Sequence, residues 1–276
     1  MLRLLRASQP LKRCMSTSAT ASLVNVERYD GYAVVRMNRA PVNSLNTEMF
    51  RALDATIEGL EHDKLIKGII LASSNPKIFS AGLDIMEMYQ PENHRLREFW
   101  TAFQNFYLRF YTTPLATVAA VEGHSPAGGC FLAMCCDARI MATGKAVMGL
   151  NETKLGIAAP FWMKDVMLNT IGHRETEKML GLGLQVDAIR GKEIGLIDEA
   201  VPQDQVFSVA EATLKQWLAI PGHARKATKH LMRHETAERL RRDLKGDTDN
   251  FVDFIETDKV QKALAGYLAS LKKPKA

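Results

Sequence analysis

Between Val24 and Met141 the chain alternates short β-branched or apolar runs with segments of helical period, and Gly, Pro or Asp marks most of the changeovers. Strands that follow one another through helices select a layered α/β fold and exclude a helical bundle or a β-sandwich. Val24 to Tyr29 and Tyr32 to Met37 flank Asp30-Gly31, a two-residue hairpin signal. Asn46-Thr47 caps a helix with Leu53, Ile57 and Leu60 on one face, running to about His62. Gly68 to Ala72 is a short apolar strand closed by the turn Ser73-Ser74-Asn75-Pro76. Phe99 to Tyr111 is an amphipathic helix stopped by Thr113-Pro114, Ala116 to Val121 a buried strand, Cys130 to Cys136 an apolar helix, and Ala138 to Met141 a strand again. From Phe161 the pattern turns helical, with helices at Gln203 to Trp217, Ala224 to Arg233 and Phe251 to Leu271. The last carries an apolar stripe, Val260, Leu264, Tyr267, Leu268 and Leu271, that calls for a packing partner. The chain divides on this reading into a leader over 1–22, an α/β core over 23–202 and a helical region over 203–276.

Of 276 residues 46% are hydrophobic, enough for a sizeable core. No apolar run approaches the roughly 18 residues of a membrane span, and Leu115 to Val121 is cut short by Glu122. The 36 basic and 31 acidic residues leave a net charge of +5, of which Arg3, Arg6, Lys12 and Arg13 carry four charges in a stretch without an acid before Glu27. The remainder is nearly neutral and offers no footprint for nucleic acid. The acid-free opening, MLRLLRASQPLKRCMSTSATAS, reads as a mitochondrial transit peptide removed around Arg13 to Ser18, placing the mature protein in the matrix. That removal discards Cys14 and leaves Cys130, Cys135 and Cys136, which read as small apolar side chains, because no His or second Cys pair stands at metal-ligand spacing.

Three segments depart from ordinary element design. Phe79-Ser80-Ala81-Gly82-Leu83-Asp84-Ile85 ends a strand on small residues just before an N-capping Asp, letting a ligand approach backbone N–H groups. Glu122-Gly-His-Ser-Pro-Ala-Gly-Gly-Cys130 opens an apolar helix on paired glycines, at the positive end of its dipole. Gly149-Leu-Asn-Glu-Thr153 sets one carboxylate beside Leu155, Ile157, Ala158, Ala159, Pro160, Phe161 and Trp162, surroundings that disfavour its charge and suit it to proton transfer near neutral pH.

In this order and combination the segments resemble the crotonase, or enoyl-CoA hydratase/isomerase, superfamily over about Val24 to Leu271, and the stretch from Gly149 to Trp162 resembles its mitochondrial isomerase branch. The resemblance implies a spiral of ββα units with C-terminal helices that support a homotrimer. It implies an oxyanion hole of two backbone N–H groups, at Ala81 and Gly128, binding the thioester oxygen of an acyl-CoA. Ala81, Gly82, Leu83, Asp84 and Ile85 are expected to line the CoA pocket, with Asn151 beside the acyl thioester and Glu152 as the catalytic base. Coenzyme A enters as part of the substrate, and no separate cofactor or metal is implied. Where hydratases carry Glu after Gly-Gly-Cys, this chain has Phe131, so one of the two hydratase carboxylates is missing.

One carboxylate suffices for isomerisation. Hydration needs an activated water and a second proton donor, whereas moving a double bond needs one base that takes a proton from C2 of a 3-enoyl thioester and returns it to C4. Asp84 has a capping duty and Glu122 closes a strand, which leaves Glu152. His124 and His173 read as ordinary polar positions, Asp137 and Arg139 as a structural pair, and Arg225 to Arg242 as mostly solvated helix faces, one or two of which could meet the CoA phosphates. The expected activity is therefore Δ3,Δ2-enoyl-CoA isomerisation. A hydratase, a dienoyl-CoA isomerase and a silent acyl-CoA- or RNA-binding relative are the competing readings. Fused to a fluorescent reporter, residues 1–30 should carry it into mitochondria, and a reporter left diffuse in the cytosol would refute the transit-peptide assignment.

Overall fold

The hairpin forms where its turn signal stands. β1 (Val24–Arg28) and β2 (Tyr32–Met37) pair antiparallel with Val26 opposite Val35, around Gly31 at φ 81°. The computed structural model describes residues 22–271, so the expected leader short of its last residue, and Cys14, lie outside the described residues. Asn46 caps α1 (Thr47–His62) by accepting the Met49 N–H at 3.0 Å. There follow β3 (Gly68–Ser73), α2 (Asn93–Thr112), β4 (Ala116–Val121), β5 (Ser125–Pro126), α3 (Gly128–Met134), β6 (Ala138–Ala142) and β7 (Met148–Gly149). The remainder is α4 (Phe161–Leu182), α5 (Ala188–Glu193), β8 (Glu199–Val201), α6 (Val206–Ala219), α7 (Gly222–Arg242), α8 (Leu244–Ile255) and α9 (Asp258–Leu271).

The main sheet runs β1-β2-β3-β4-β6-β8, parallel after the first pair, and β3, β4 and β6 are buried along their whole length as a sheet covered on both faces requires. Between a main strand and the next helix the chain makes a second short extended passage. These passages pair in turn, Leu45 with Leu83, Ile78 with His124, β5 with β7 and Met148 with Val186. The result is the ββα spiral expected from the resemblance.

One face of the sheet packs against α1 to α4 through Phe50, Phe99, Trp100, Phe103 and Trp162. The other is covered by α6, whose Val206, Ala210 and Leu214 meet Val34, Ile70, Val118 and Ile140. The expected division at 202/203 therefore falls within one packed body, since β8 and α6 complete the sheet and its cover. Several boundaries differ from the sequence reading. The polar first turn of α2 hides its start at Asn93, α3 begins at Gly128, and Gly172 at φ 75° breaks the periodicity of α4. The stretch Phe251 to Leu271 splits at Thr257, whose Oγ1 donates to Phe254 O at 2.7 Å. Of the C-terminal stripe, Val260 and Leu264 are buried in the chain's own core, Tyr267 and Leu268 are half-buried, and Leu271 is exposed, so most of the partner it needs is the same chain. The three described cysteines are buried thiols whose pKa burial pushes up, in keeping with apolar packing.

Asp137 and Arg139 do not pair with each other, because each is engaged by partners far along the chain. Arg139 reaches Asp198 at 3.0 Å, and Asp137 holds Lys229 at 2.6 Å and Arg233 at 2.9 Å. Arg225, Lys229 and Arg233 recur every four residues along one face of α7, and this face is turned inward rather than solvated. Lys229 donates to Leu115 O at 2.7 Å, and Arg233 to Tyr111 O and Cys135 O at 2.8 and 2.9 Å, supplying cations where α2 and α3 end. Burial pulls the Lys229 ammonium down to about 8, against the attraction of Asp137. Asp137→Asn should cost about 3–5 kcal/mol by leaving buried cations without their carboxylate, read as a lower denaturant midpoint at unchanged slope; an unchanged midpoint would contradict this role.

Candidate active site

The loop over residues 79–85 is fastened from beneath. Ser80 Oγ donates to Asn43 O at 2.7 Å and accepts the Gly82 N–H at 3.1 Å, while Asn43 Nδ2 donates to Phe79 O at 3.1 Å and Ser73 Oγ at 2.8 Å. Asp84 accepts the Met86 N–H and pairs with Arg39 at 2.8 Å, the capping duty its position suggested. The loop abuts the start of α3 so closely that side chains are excluded. A Cβ on Gly82, at φ 89°, would stand 2.9 Å from Gly128 N, and one on Gly129 would stand 2.4 Å from Ser80 O.

This joint decides which N–H groups are free. The Ala81 N–H donates to Val42 O at 2.9 Å and so is spent inside the protein, against the expectation for Ala81. Gly82 O accepts from Leu45 and the Asp84 N–H donates to Leu45 O, which by strand alternation turns the Leu83 N–H the other way. Among the described residues neither the Leu83 nor the Gly128 N–H has a protein acceptor, and Leu83 N lies 3.2 Å from where a Cβ on Gly128 would be. Gly128 is the first residue of α3, where N–H groups are unpaired and the dipole is positive. The free pair is Leu83 with Gly128, and the two-residue alternation from Leu45's partners is the signal that reading the motif residue by residue missed.

Glu152 enters on a short helical turn, Glu152–Leu155, that follows β7 and closes at Gly156 in the left-handed region. Its side chain is buried, and neither carboxyl oxygen has a hydrogen-bond partner; Asn151 Oδ1 is likewise unpartnered. Burial raises the Glu152 carboxyl to about 7, with no cation to offset it. Ala81, Leu83, Ile85, Asn151 and Glu152 meet on one cavity of about 70 Å³, walled by Met88, Trp100, Leu155, Ile157, Met163, Phe251 and Tyr267. Gly82, Asp84 and Gly128 are not among the residues that line it, although Gly128 adjoins Leu83 and Ala127, which do. A roomier hollow of about 420 Å³ between α1 and α2 is a surface groove among Arg51, Asp54, Arg97 and Glu98, where Arg51 pairs with Glu98 and Arg97 with Asp249. Among the described residues it is lined by no unpartnered buried group, whereas Asn151 and Glu152 line the smaller cavity.

The cavity wall is tied to the end of the chain. Phe251 stacks on Trp100 with centroids 3.4 Å apart, and Asp247 accepts from Trp100 Nε1 at 2.7 Å, Gln104 Nε2 at 2.8 Å and Trp162 Nε1 at 3.2 Å. Phe131 packs edge-on against Phe103 and Trp162, at 5.6 and 5.3 Å, inside the aromatic core and off the cavity. His173 is exposed after Gly172. His124 joins the spiral through its backbone, and Glu122, half-buried with its pKa raised by burial, stands off the cavity.

The model of the enoyl-CoA hydratase/isomerase family matches residues 27–274. The chain belongs to that family. Within it, the chain is 47% identical to enoyl-CoA delta isomerase 1, mitochondrial, of Mus musculus, covering 92% of this chain and 88% of the relative. A short-chain-enoyl-CoA hydratase of Clostridium acetobutylicum is 29% identical over 68% of this chain and 72% of the relative. The crystal structure of human mitochondrial delta3-delta2-enoyl-CoA isomerase superposes with a TM-score of 0.90 at 45% identity, covering 92% of this chain and all of that one. Phe131→Glu should set a carboxyl among the rings of Phe103, Tyr107 and Trp162, lowering stability by more than about 3 kcal/mol without adding hydration of a 2-enoyl-CoA. A variant as stable as the parent and competent in hydration would overturn this placement.

Proposed function

We propose that this protein is a Δ3,Δ2-enoyl-CoA isomerase that moves the double bond of a cis- or trans-3-enoyl-CoA to trans-2-enoyl-CoA, with Glu152 as its single base, in the mitochondrial oxidation of unsaturated fatty acids. The observation that carries the reading is the Glu152 carboxyl, buried, unpartnered and raised to about 7, on a cavity that also holds Leu83 and lies beside Gly128. The carboxylate removes a proton from C2 of the 3-enoyl thioester, and the C2–H electron pair moves into a dienolate. The thioester oxygen takes the charge and accepts hydrogen bonds from the Leu83 and Gly128 N–H groups, each donor of this kind being worth about 3–4 kcal/mol. Glu152 then returns the proton to C4, and the double bond settles between C2 and C3. Ala81, Leu83 and Ile85 line the approach for the CoA thioester, and Asn151 offers a polar atom beside it.

The apolar wall supports isomerisation over hydration, because among the described residues no second carboxyl lines the cavity to orient a water. A dienoyl-CoA isomerase wants further acids there, and an orphaned carboxyl near neutral pKa has no use in a silent binding module. The mitochondrial name of the 47% identical relative agrees with a matrix enzyme. We propose a homotrimer on the family resemblance, now without the Val260 and Leu264 stripe as its contact; a monomer by sedimentation at micromolar concentration would end that proposal.

With 3-hexenoyl-CoA as substrate and ultraviolet absorbance of the conjugated product as readout, Glu152→Gln should lose about 10²- to 10⁴-fold in kcat while acyl-CoA binding persists. For the parent, kcat/KM should rise with pH through about 7 and level off above it, since the free enzyme needs the ionised carboxylate. The folded pKa lies above the ordinary 4.5, so the native state holds a proton that the unfolded state releases between these values. Stability therefore falls across that window as pH rises, and above pH 7 Glu152→Gln should be the more stable protein by about 3 kcal/mol. Near-normal turnover in the variant would refute the single-base mechanism, and equal loss of binding and turnover would assign Glu152 a structural role.

A further inference from the structure

Apart from the cavity at Glu152, the end of α6 and the first half of α7 border a hollow of about 320 Å³. Its lining is divided in character. Trp217, Ile220 and Met232 supply apolar surface, and Arg225, Lys229, Arg233 and Asp137 stand on its polar side. Three cations there share one carboxylate, and the sharing is unequal. Asp137 is bonded to Lys229 and Arg233, which also donate to the carbonyls of Leu115, Tyr111, Cys135 and Cys136. Arg225 has only a long bond from Nη1 to Pro114 O at 3.3 Å, its Nε is buried without a partner, and its Nη2 makes no hydrogen bond among the described residues. The residue is 7% exposed. Four of the five guanidinium hydrogens have no protein acceptor, one of them on the buried Nε, and an anion would complete the group.

We propose that this hollow is a binding site for a medium-chain monocarboxylate, its carboxylate in a two-pronged bond with Arg225 and its alkyl chain against Trp217, Ile220 and Met232. The volume stands at the lower end of the range for small-ligand sites, about 300–1,000 Å³, which suits a chain of about eight carbons and excludes a nucleotide. The mostly apolar surface around one cation not paired with Asp137 selects an amphiphile over inorganic phosphate. Neither the hollow nor Arg225 takes part in the isomerisation proposed above, so the two readings stand or fall separately.

Sodium octanoate is titrated into the full-length protein, with heat by calorimetry and the fluorescence of Trp217 as readouts; Trp217→Phe identifies the signal. Saturable binding with Kd below about 1 mM is expected, while octanol and acetate, each lacking half of the recognition, should bind at least about tenfold more weakly. Arg225→Gln should weaken octanoate at least about tenfold and leave 3-hexenoyl-CoA turnover unchanged. Thr228→Trp, which fills the hollow without touching the ion pairs, should abolish binding and keeps the test open if Arg225→Gln fails to fold. Octanol binding as well as octanoate, octanoate binding undiminished in Thr228→Trp, or an affinity that falls with protein concentration because a second copy covers the hollow, would each overturn the proposal.

Discussion

Everything at the cavity around Glu152 depends on the contact of two backbones, the loop over residues 79–85 against the first turn of α3. Gly82 against Gly128 and Ser80 against Gly129 leave no room for a Cβ, and only this closeness puts two unspent N–H groups side by side. Hydrogen-bond geometry is steep in distance and angle, so a shift of an ångström at this joint would move both donors off any one oxygen. The network from Asn43 through Ser73, Ser80 and the Arg39–Asp84 pair holds the loop in register, and the parallel sheet beneath fixes the distance from β3 to β4.

The second constraint is electrostatic. The aromatic core around Trp100, Phe103, Phe131 and Trp162 is satisfied through Asp247, which takes the indole hydrogens, and Glu152 is left with nothing. A fold could have placed a lysine or arginine beside it and gained stability, at the loss of a carboxyl poised near neutral pH. The same chain shows the alternative a helix away, where Asp137 is fully engaged by Lys229 and Arg233 and serves structure.

What was legible in the sequence was what local chemistry decides. The Asp30-Gly31 turn, the Asn46 cap, the apolar run Ala116 to Val121 and the lone carboxylate at Glu152 announce themselves through residues a few places apart. What was hidden depends on partners far along the chain. Ala81 and Leu83 look equally able to donate until Val42 and Leu45 are seen to select between them. Arg225, Lys229 and Arg233 look solvated because the carbonyls and the Asp137 they serve lie about a hundred residues earlier. The three-residue strand β8 is too short to carry a period, and Gly172 conceals α4 by breaking one.

The last helices bear on how the protein comes into being. The sheet is finished only when β8 pairs, its far face is covered only by α6, and the acyl cavity gains Phe251, Tyr267 and the Asp247 anchor only from the final thirty or so residues. A chain growing from a ribosome, or threading through a membrane pore from its N-terminus, therefore holds the Gly82–Gly128 joint and Glu152 long before it can close a site around them. Catalytic competence arrives all at once, with the arrival of the C-terminus.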